Sequence, residues 1–134
     1  MAVIDSELTR VAVERFYDAA LRADLGAIAE ILDADVVNYE ADSLPYGGVY
    51  RGKDAVLGLL KLLFDNIDLA TVQRTGLLVE DDKAVSFLQV PFAFADPTVP
   101  QLMPVLEAFV VSDGLIVEIR PYYYDTAAIA ARSD

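Results

Sequence analysis

The sequence predicts an α+β fold: a cone-shaped, curved antiparallel sheet wrapped around three N-terminal helices. Two observations carry that prediction. Apolar residues recur at three- and four-residue spacing through the first half of the chain and at two-residue spacing through the second. The second-half segments are joined by short turn-forming clusters, so they read as successive hairpins with the helices packed on one face. At 134 residues the chain has the length of one domain, and residues 1–134 are read as a single unit.

Each element follows from local chemistry. Leu8, Val11, Ala12, Phe16, Ala19, Ala20 and Ala23 form one stripe of a helix over residues 6–23, with Asp5 or Ser6 available as its N-cap. Asp24 is placed to cap a shorter helix carrying Leu25, Ile28, Ile31 and Leu32. A short strand over 36–41 leads into the turn-rich Ser43-Leu44-Pro45-Tyr46-Gly47-Gly48. Gly52 precedes a third helix, 53–66, with Val56, Leu59, Leu60 and Leu63 on one side. Strands are expected at 67–79, 84–94, 104–112 and 115–124. Asp81-Asp82 and Ser112-Asp113-Gly114 make tight turns, and the proline-bearing stretch 95–104 a longer loop.

The strands at 84–94 and 104–112 are apolar on both faces. A sheet covered by helices on one side should alternate apolar with polar. We therefore expect a homodimer in which Leu106, Ala108 and Val110 meet a second copy; a fully enclosed single-chain core is the alternative. Hydrophobic residues make up 55% of the chain, more than one small core hides, which calls for a buried interface or an internal pocket.

Composition excludes several classes of function. With 22 acidic and 10 basic residues the net charge is −12, so the basic footprint of a nucleic-acid binder is missing and an anionic membrane would repel the chain. The apolar runs are too short to span a bilayer, and the first residues do not read as a secretory signal, so a cytoplasmic location is expected. The chain has no Cys and no His. Thiolate nucleophiles, imidazole bases and their metal sites are thereby excluded, and acid–base chemistry falls to Asp, Glu, Tyr, Lys or Arg. No Gly-rich phosphate loop is present, and neither a metal nor an organic cofactor is expected.

Three segments carry a resemblance to a known superfamily: Arg15-Phe16-Tyr17-Asp18-Ala19-Ala20-Leu21 through Asp24-Leu25, the stretch Leu44 to Gly52, and Val117-Glu118-Ile119-Arg120-Pro121-Tyr122-Tyr123-Tyr124-Asp125. In these and in its element order the chain resembles the nuclear transport factor 2-like proteins. That superfamily includes ketosteroid isomerases, limonene epoxide hydrolases, scytalone dehydratase and SnoaL-type polyketide cyclases, and the second and third segments look most like the SnoaL-like branch. The resemblance implies that Glu40 occupies the place of the isomerases' carboxylate base. It implies that Glu107, in Glu107-Ala108-Phe109, occupies that of their protonated acid. Their oxyanion-donating tyrosine corresponds to Phe16, with Tyr17 one residue along. Departures are equally plain: Pro121 stands where the epoxide hydrolases place an acid after Arg120, and the cyclases' His has no counterpart.

The residues themselves support part of this. Glu40 shares a strand face with Asn38 and Val36; on an inward face it is a partly desolvated base beside an amide, on an outward face a solvated strand end. Glu107 lies between Val105 and Phe109 on its own face and is the one charged residue between Asp96 and Asp113. Such a carboxyl either keeps its proton and donates a hydrogen bond or pairs with a cation such as Arg120 or Arg74. By the resemblance, Ile119, Pro121 and Tyr123 face a pocket for a small apolar molecule, with Phe16, Tyr17, Asn38, Tyr46 and Phe109 as further binding residues. Two functions fit: a cofactor-free isomerase, cyclase or dehydratase using Glu40 and Glu107, or a non-catalytic binding or dimerisation module.

Overall fold

In the computed structural model, which describes residues 2–92 and 101–132, the chain runs α1 (Ala2–Ala20), α2 (Leu25–Ile31), β1 (Leu32–Glu40), β2 (Gly48–Arg51) and α3 (Lys53–Asn66). After one turn of 3-10 helix (Leu69–Thr71) come β3 (Gln73–Glu80), β4 (Lys83–Phe92), β5 (Gln101–Ser112), β6 (Leu115–Tyr123) and α4 (Thr126–Arg132). The α+β architecture is the one expected, with differences that have local causes.

Helix α1 begins before Asp5 and Ser6, so neither is its cap. Instead the Asp81 N–H donates to Ser6 Oγ at 3.0 Å, and Thr9, buried, sets its hydroxyl 2.6 Å from the Asp81 carbonyl. Both contacts tie the helix to the β3–β4 turn. The helix ends at Ala20, and Ala23 takes a left-handed φ of 54°. Asp24 then caps α2 as expected, its Oδ1 accepting from the Ala27 N–H at 3.0 Å.

The sheet has the order β2-β1-β6-β5-β4-β3. It is mixed rather than wholly antiparallel, because β1 pairs parallel to β6, with Val37 opposite Glu118 and Asn38 opposite Ile119. Extended chain begins at Leu32, directly after α2, and not at residue 36. The turn-rich stretch also ends in a short strand, β2, on the far side of β1. Gly47 is required there: a Cβ would stand 2.4 Å from the Ala41 carbonyl oxygen.

Residues 67–72 were expected to open a strand. Asp68 redirects them, accepting from the Ala70 N–H at 3.2 Å and the Thr71 hydroxyl at 2.7 Å. This competition between side chain and ladder holds the chain in a 3-10 turn. The β5–β6 turn places Asp113 and Gly114 at φ of 52° and 80°, the pair of positive values that a two-residue hairpin favours. The β4–β5 ladder extends past Pro104 to the Phe92–Gln101 pair, so Pro104 lies within a strand. Residues 101–103 lie in that strand too, and the remainder of the expected loop, 95–100, is outside the described residues, as are residues 93–94 of the expected strand 84–94. Asp125 caps the final helix through the Ala128 N–H at 3.1 Å.

Helices α1 and α3 cover the inner face, where Val13, Ile28, Val36, Val56, Phe109, Ile116 and Ile119 are almost fully buried. Register shifts in the β1–β6, β3–β4 and β5–β6 ladders accompany the bend that lets one sheet follow the helices. The outer face is different. Leu78 is 65% exposed, Leu106 40% and Tyr122 58%, large apolar side chains that no element among the described residues covers. Among the described residues no helix is long and apolar enough to cross a membrane.

Candidate active site

The strand faces inferred from two-residue periodicity place two carboxyls in one layer of the sheet. Ser86, Glu107 and Pro121 lie abreast on β4, β5 and β6. Asn38 lies beside Ile119 on β1 and β6, and Glu40 and Pro121 each come two residues later. Glu40 and Glu107 are thus separated by the β6 strand, about 10 Å between backbones at the usual strand spacing.

Glu40 is buried, with 6% of its surface exposed. Its Oε2 accepts from Asn38 Nδ2 at 2.6 Å and its Oε1 from the Tyr123 hydroxyl at 2.8 Å. Burial raises its pKa to about 7, against the two donors, which favour the charged form; the Glu107 charge adds a smaller upward push. At neutral pH this carboxyl is therefore divided between its two protonation states.

Glu107 is held differently. Its Oε1 accepts from the Tyr17 hydroxyl at 2.5 Å, and burial pushes its pKa up against that one donor. Neither arginine considered as a salt-bridge partner takes that part. Arg74 makes a two-pronged pair with Glu14 at 3.1 and 3.2 Å, and Arg120 sits 3.7 Å from Glu118 with its guanidinium over the Tyr39 ring.

Helix geometry explains how Tyr17 arrives. Phe16, Tyr17 and Phe109 pack edge-on with centroids 5.4 to 5.7 Å apart, and the Arg74 guanidinium lies 4.4 Å from the Tyr17 ring centre. The ring is clamped between an aromatic pair and a cation, which aims its hydroxyl at Glu107. Ser86, fully buried and opposite Glu107, places its Oγ by the Tyr17 hydroxyl without a hydrogen bond of good geometry.

A cavity of about 100 Å³ opens beside this layer. Phe16, Tyr17, Glu107, Pro121 and Tyr123 border it, together with Leu60 and Phe64 of α3 and Leu88, Val90 and Phe92 of β4. Phe109, Ile119, Asn38 and Glu40 are buried and do not border it, although Glu40 is hydrogen-bonded to Tyr123, which does. Tyr46 is buried against Tyr123, ring centroids 6.5 Å apart. The sequence reading missed the contribution of Ile67, Leu69 and Val72. Their β-like composition pointed to a strand, and the Asp68 side chain was the local signal for a turn. Among the described residues no three acidic groups gather as a metal site would require.

Helices packed within a curved, unclosed six-stranded mixed sheet define the nuclear transport factor 2-like fold. The sequence pattern of the SnoaL-like domain family matches residues 13–119, and the chain belongs to that family. Among solved structures it is similar to Bal32a, from a soil-derived mobile gene cassette, with 15% identity, 97% of this chain and 99% of that chain covered, and a TM-score of 0.84. It is similar also to a candidate SnoaL-like polyketide cyclase from Jannaschia sp. CCS1, with 19% identity, 96% and 94% coverage and a TM-score of 0.77. A candidate ketosteroid isomerase from Kribbella flavida DSM 17836 shares 17% identity over 90% of this chain and 81% of that chain, with a TM-score of 0.69. At these identities the likeness is one of fold. No curated protein matches the chain.

Proposed function

We propose that the protein is a cofactor-free acid–base enzyme acting on a small, uncharged, largely apolar carbonyl compound, in a reaction of the isomerase, cyclase or dehydratase kind. The observation that carries this reading is the pair of pKa-raised carboxyls in one layer, Glu40 buried and Glu107 half-buried, each hydrogen-bonded to a phenol that borders the same cavity. Glu40 has two donors that favour its anion and serves as the base; Glu107 has one and keeps the proton it donates to a developing oxyanion. An anionic substrate would meet the Glu107 carboxyl on the cavity wall in a chain of net charge −12, which favours neutral compounds. The test is Glu40→Gln. Loss of turnover with ligand affinity retained supports the reading, and unchanged turnover moves the protein to a non-catalytic binding module. The rate of the wild type should rise with pH through about 7 as Glu40 loses its proton.

The same reading includes a homodimer formed by the outer sheet face, where Leu106 and Tyr122 are exposed and Ala108 and Val110 half-buried. A stable pair needs about 800 Å² from each partner, and burying this face removes the exposed Leu78, Phe87, Leu106 and Tyr122 from water. Light scattering should give twice the chain mass, and Leu106→Asp should give the monomer. A wild-type monomer at micromolar concentration would end the argument.

A further inference from the structure

The base assigned above does not border the cavity. Of the group formed by Asn38, Glu40 and Tyr123, Tyr123 alone is part of the cavity wall, and both oxygens of Glu40 are already engaged, one by the Asn38 amide and one by the Tyr123 hydroxyl. For Glu40 to meet a ligand directly, Tyr123 would have to swing aside. Packing opposes that motion: Phe92 and Tyr46 both meet the Tyr123 ring edge-on, at 5.7 and 6.5 Å between centroids. Tyr46 is itself buried, and its carbonyl is held by the Tyr50 hydroxyl at 2.9 Å.

We propose that Tyr123 is the catalytic residue that receives the substrate's proton, its hydroxyl passing its own proton to Glu40 in the same step. This rests on the acid–base reading and adds the route. The C–H bond next to the substrate carbonyl breaks, its electron pair moves to the carbonyl oxygen, and its proton bonds to Tyr123 Oη. The original Tyr123 O–H bond breaks as that proton bonds to Glu40 Oε1. Charge balances: Glu40 becomes neutral and the substrate becomes an enolate, facing the Glu107 proton. A stepwise path through a free Tyr123 phenolate is disfavoured, because burial and the neighbouring Glu40 charge both push that phenol well above its ordinary pKa. The reverse transfer, to a different carbon, completes an isomerisation. The relay also explains why a carboxyl set behind the wall is held by two short hydrogen bonds: it must present one oxygen to one phenol.

The test follows release of α-tritium from labelled 2-indanone, with 2-naphthol fluorescence as the measure of cavity binding. Glu40→Gln and Tyr123→Phe should each slow release by roughly 10²-fold or more. The double variant should be no slower than the slower single one, since the two act as a unit. Both should bind 2-naphthol as the wild type does, because the Phe variant keeps the ring. A measurement without mutation stands beside these: wild-type release should be slower in D2O than in H2O, since an exchangeable O–H proton moves in the step. Tyr123→Phe at the wild-type rate with Glu40→Gln slow, or equal wild-type rates in the two solvents, overturns the relay alone. Wild type no faster than Glu40→Gln overturns the acid–base reading and the relay with it.

Discussion

Two carboxyls sit in the same layer of the same sheet, Glu40 buried and Glu107 half-buried on the cavity wall, and their surroundings divide them. Glu40 is surrounded by donors: an amide two residues back on its own strand and a phenol from a strand beside it. Glu107 is surrounded by rings and aliphatic side chains and has a single phenol, delivered by a helix. Burial alone would raise both. Two donors at Glu40 favour its anion and one does so at Glu107, and the proposed division into base and acid rests on that difference.

The sharpest way to break that comparison is to exchange the roles by mutation. Glu40→Gln should abolish turnover, while Glu107→Ala, which removes a positioned donor, should cost on the order of 10²–10³ in rate. Glu107→Gln, which keeps a donor, should cost less than Glu107→Ala. Equal losses for all three, measured as kcat on any substrate found by screening, would show that the carboxyls are not differentiated.

Next in size is the dependence of stability on pH. A carboxyl whose pKa is higher in the fold than in the unfolded chain binds more protons when folded, so stability is fully present below the unfolded value and falls as pH rises through the folded one. For Glu40 that window runs from 4.5 to about 7, which corresponds to about 3 kcal/mol. Glu107 contributes with the same sign. Chemical denaturation should therefore give a more stable protein near pH 5 than near pH 8, and Glu40→Gln should flatten part of that slope. A wild-type stability that climbs across this range would contradict the burial of both groups.

Smaller effects separate the donors. Tyr17→Phe leaves Glu107 without its one hydrogen bond and should cost about 1–3 kcal/mol of stability. It should also raise the Glu107 pKa further, read from the side-chain carbon shifts of labelled glutamate. Asn38→Ala leaves Glu40 with Tyr123 and so should move the Glu40 pKa upward without freeing it of partners. Smallest is Asp24→Ala, remote from both carboxyls, which should lower stability by about 1 kcal/mol through the lost α2 cap and leave both pKa values where they were.

Much of this was legible in the chain before any coordinates. In a strand, side chains alternate between faces whatever the strand pairs with. Hence Val36, Asn38 and Glu40 had to share one face, Val105, Glu107 and Phe109 another, and Ile119, Pro121 and Tyr123 a third. Caps are equally local: Asp24 and Asp125 each start a helix by accepting from an N–H of its first turn. The absence of His and Cys left acid–base chemistry to Asp, Glu, Tyr, Lys or Arg. What the tertiary structure decided is long-range. The parallel pairing of β1 with β6 set one strand between Glu40 and Glu107. The rotation of α1 brought Tyr17 to Glu107, although Phe16 occupied the place that the family resemblance assigned. The rotamer of Tyr123, packed against Phe92 and Tyr46, put a phenol of the cavity wall in hydrogen-bond contact with Glu40. Register, helix rotation and rotamer choice are fixed by contacts between residues distant in the chain, so no periodicity within one segment encodes them.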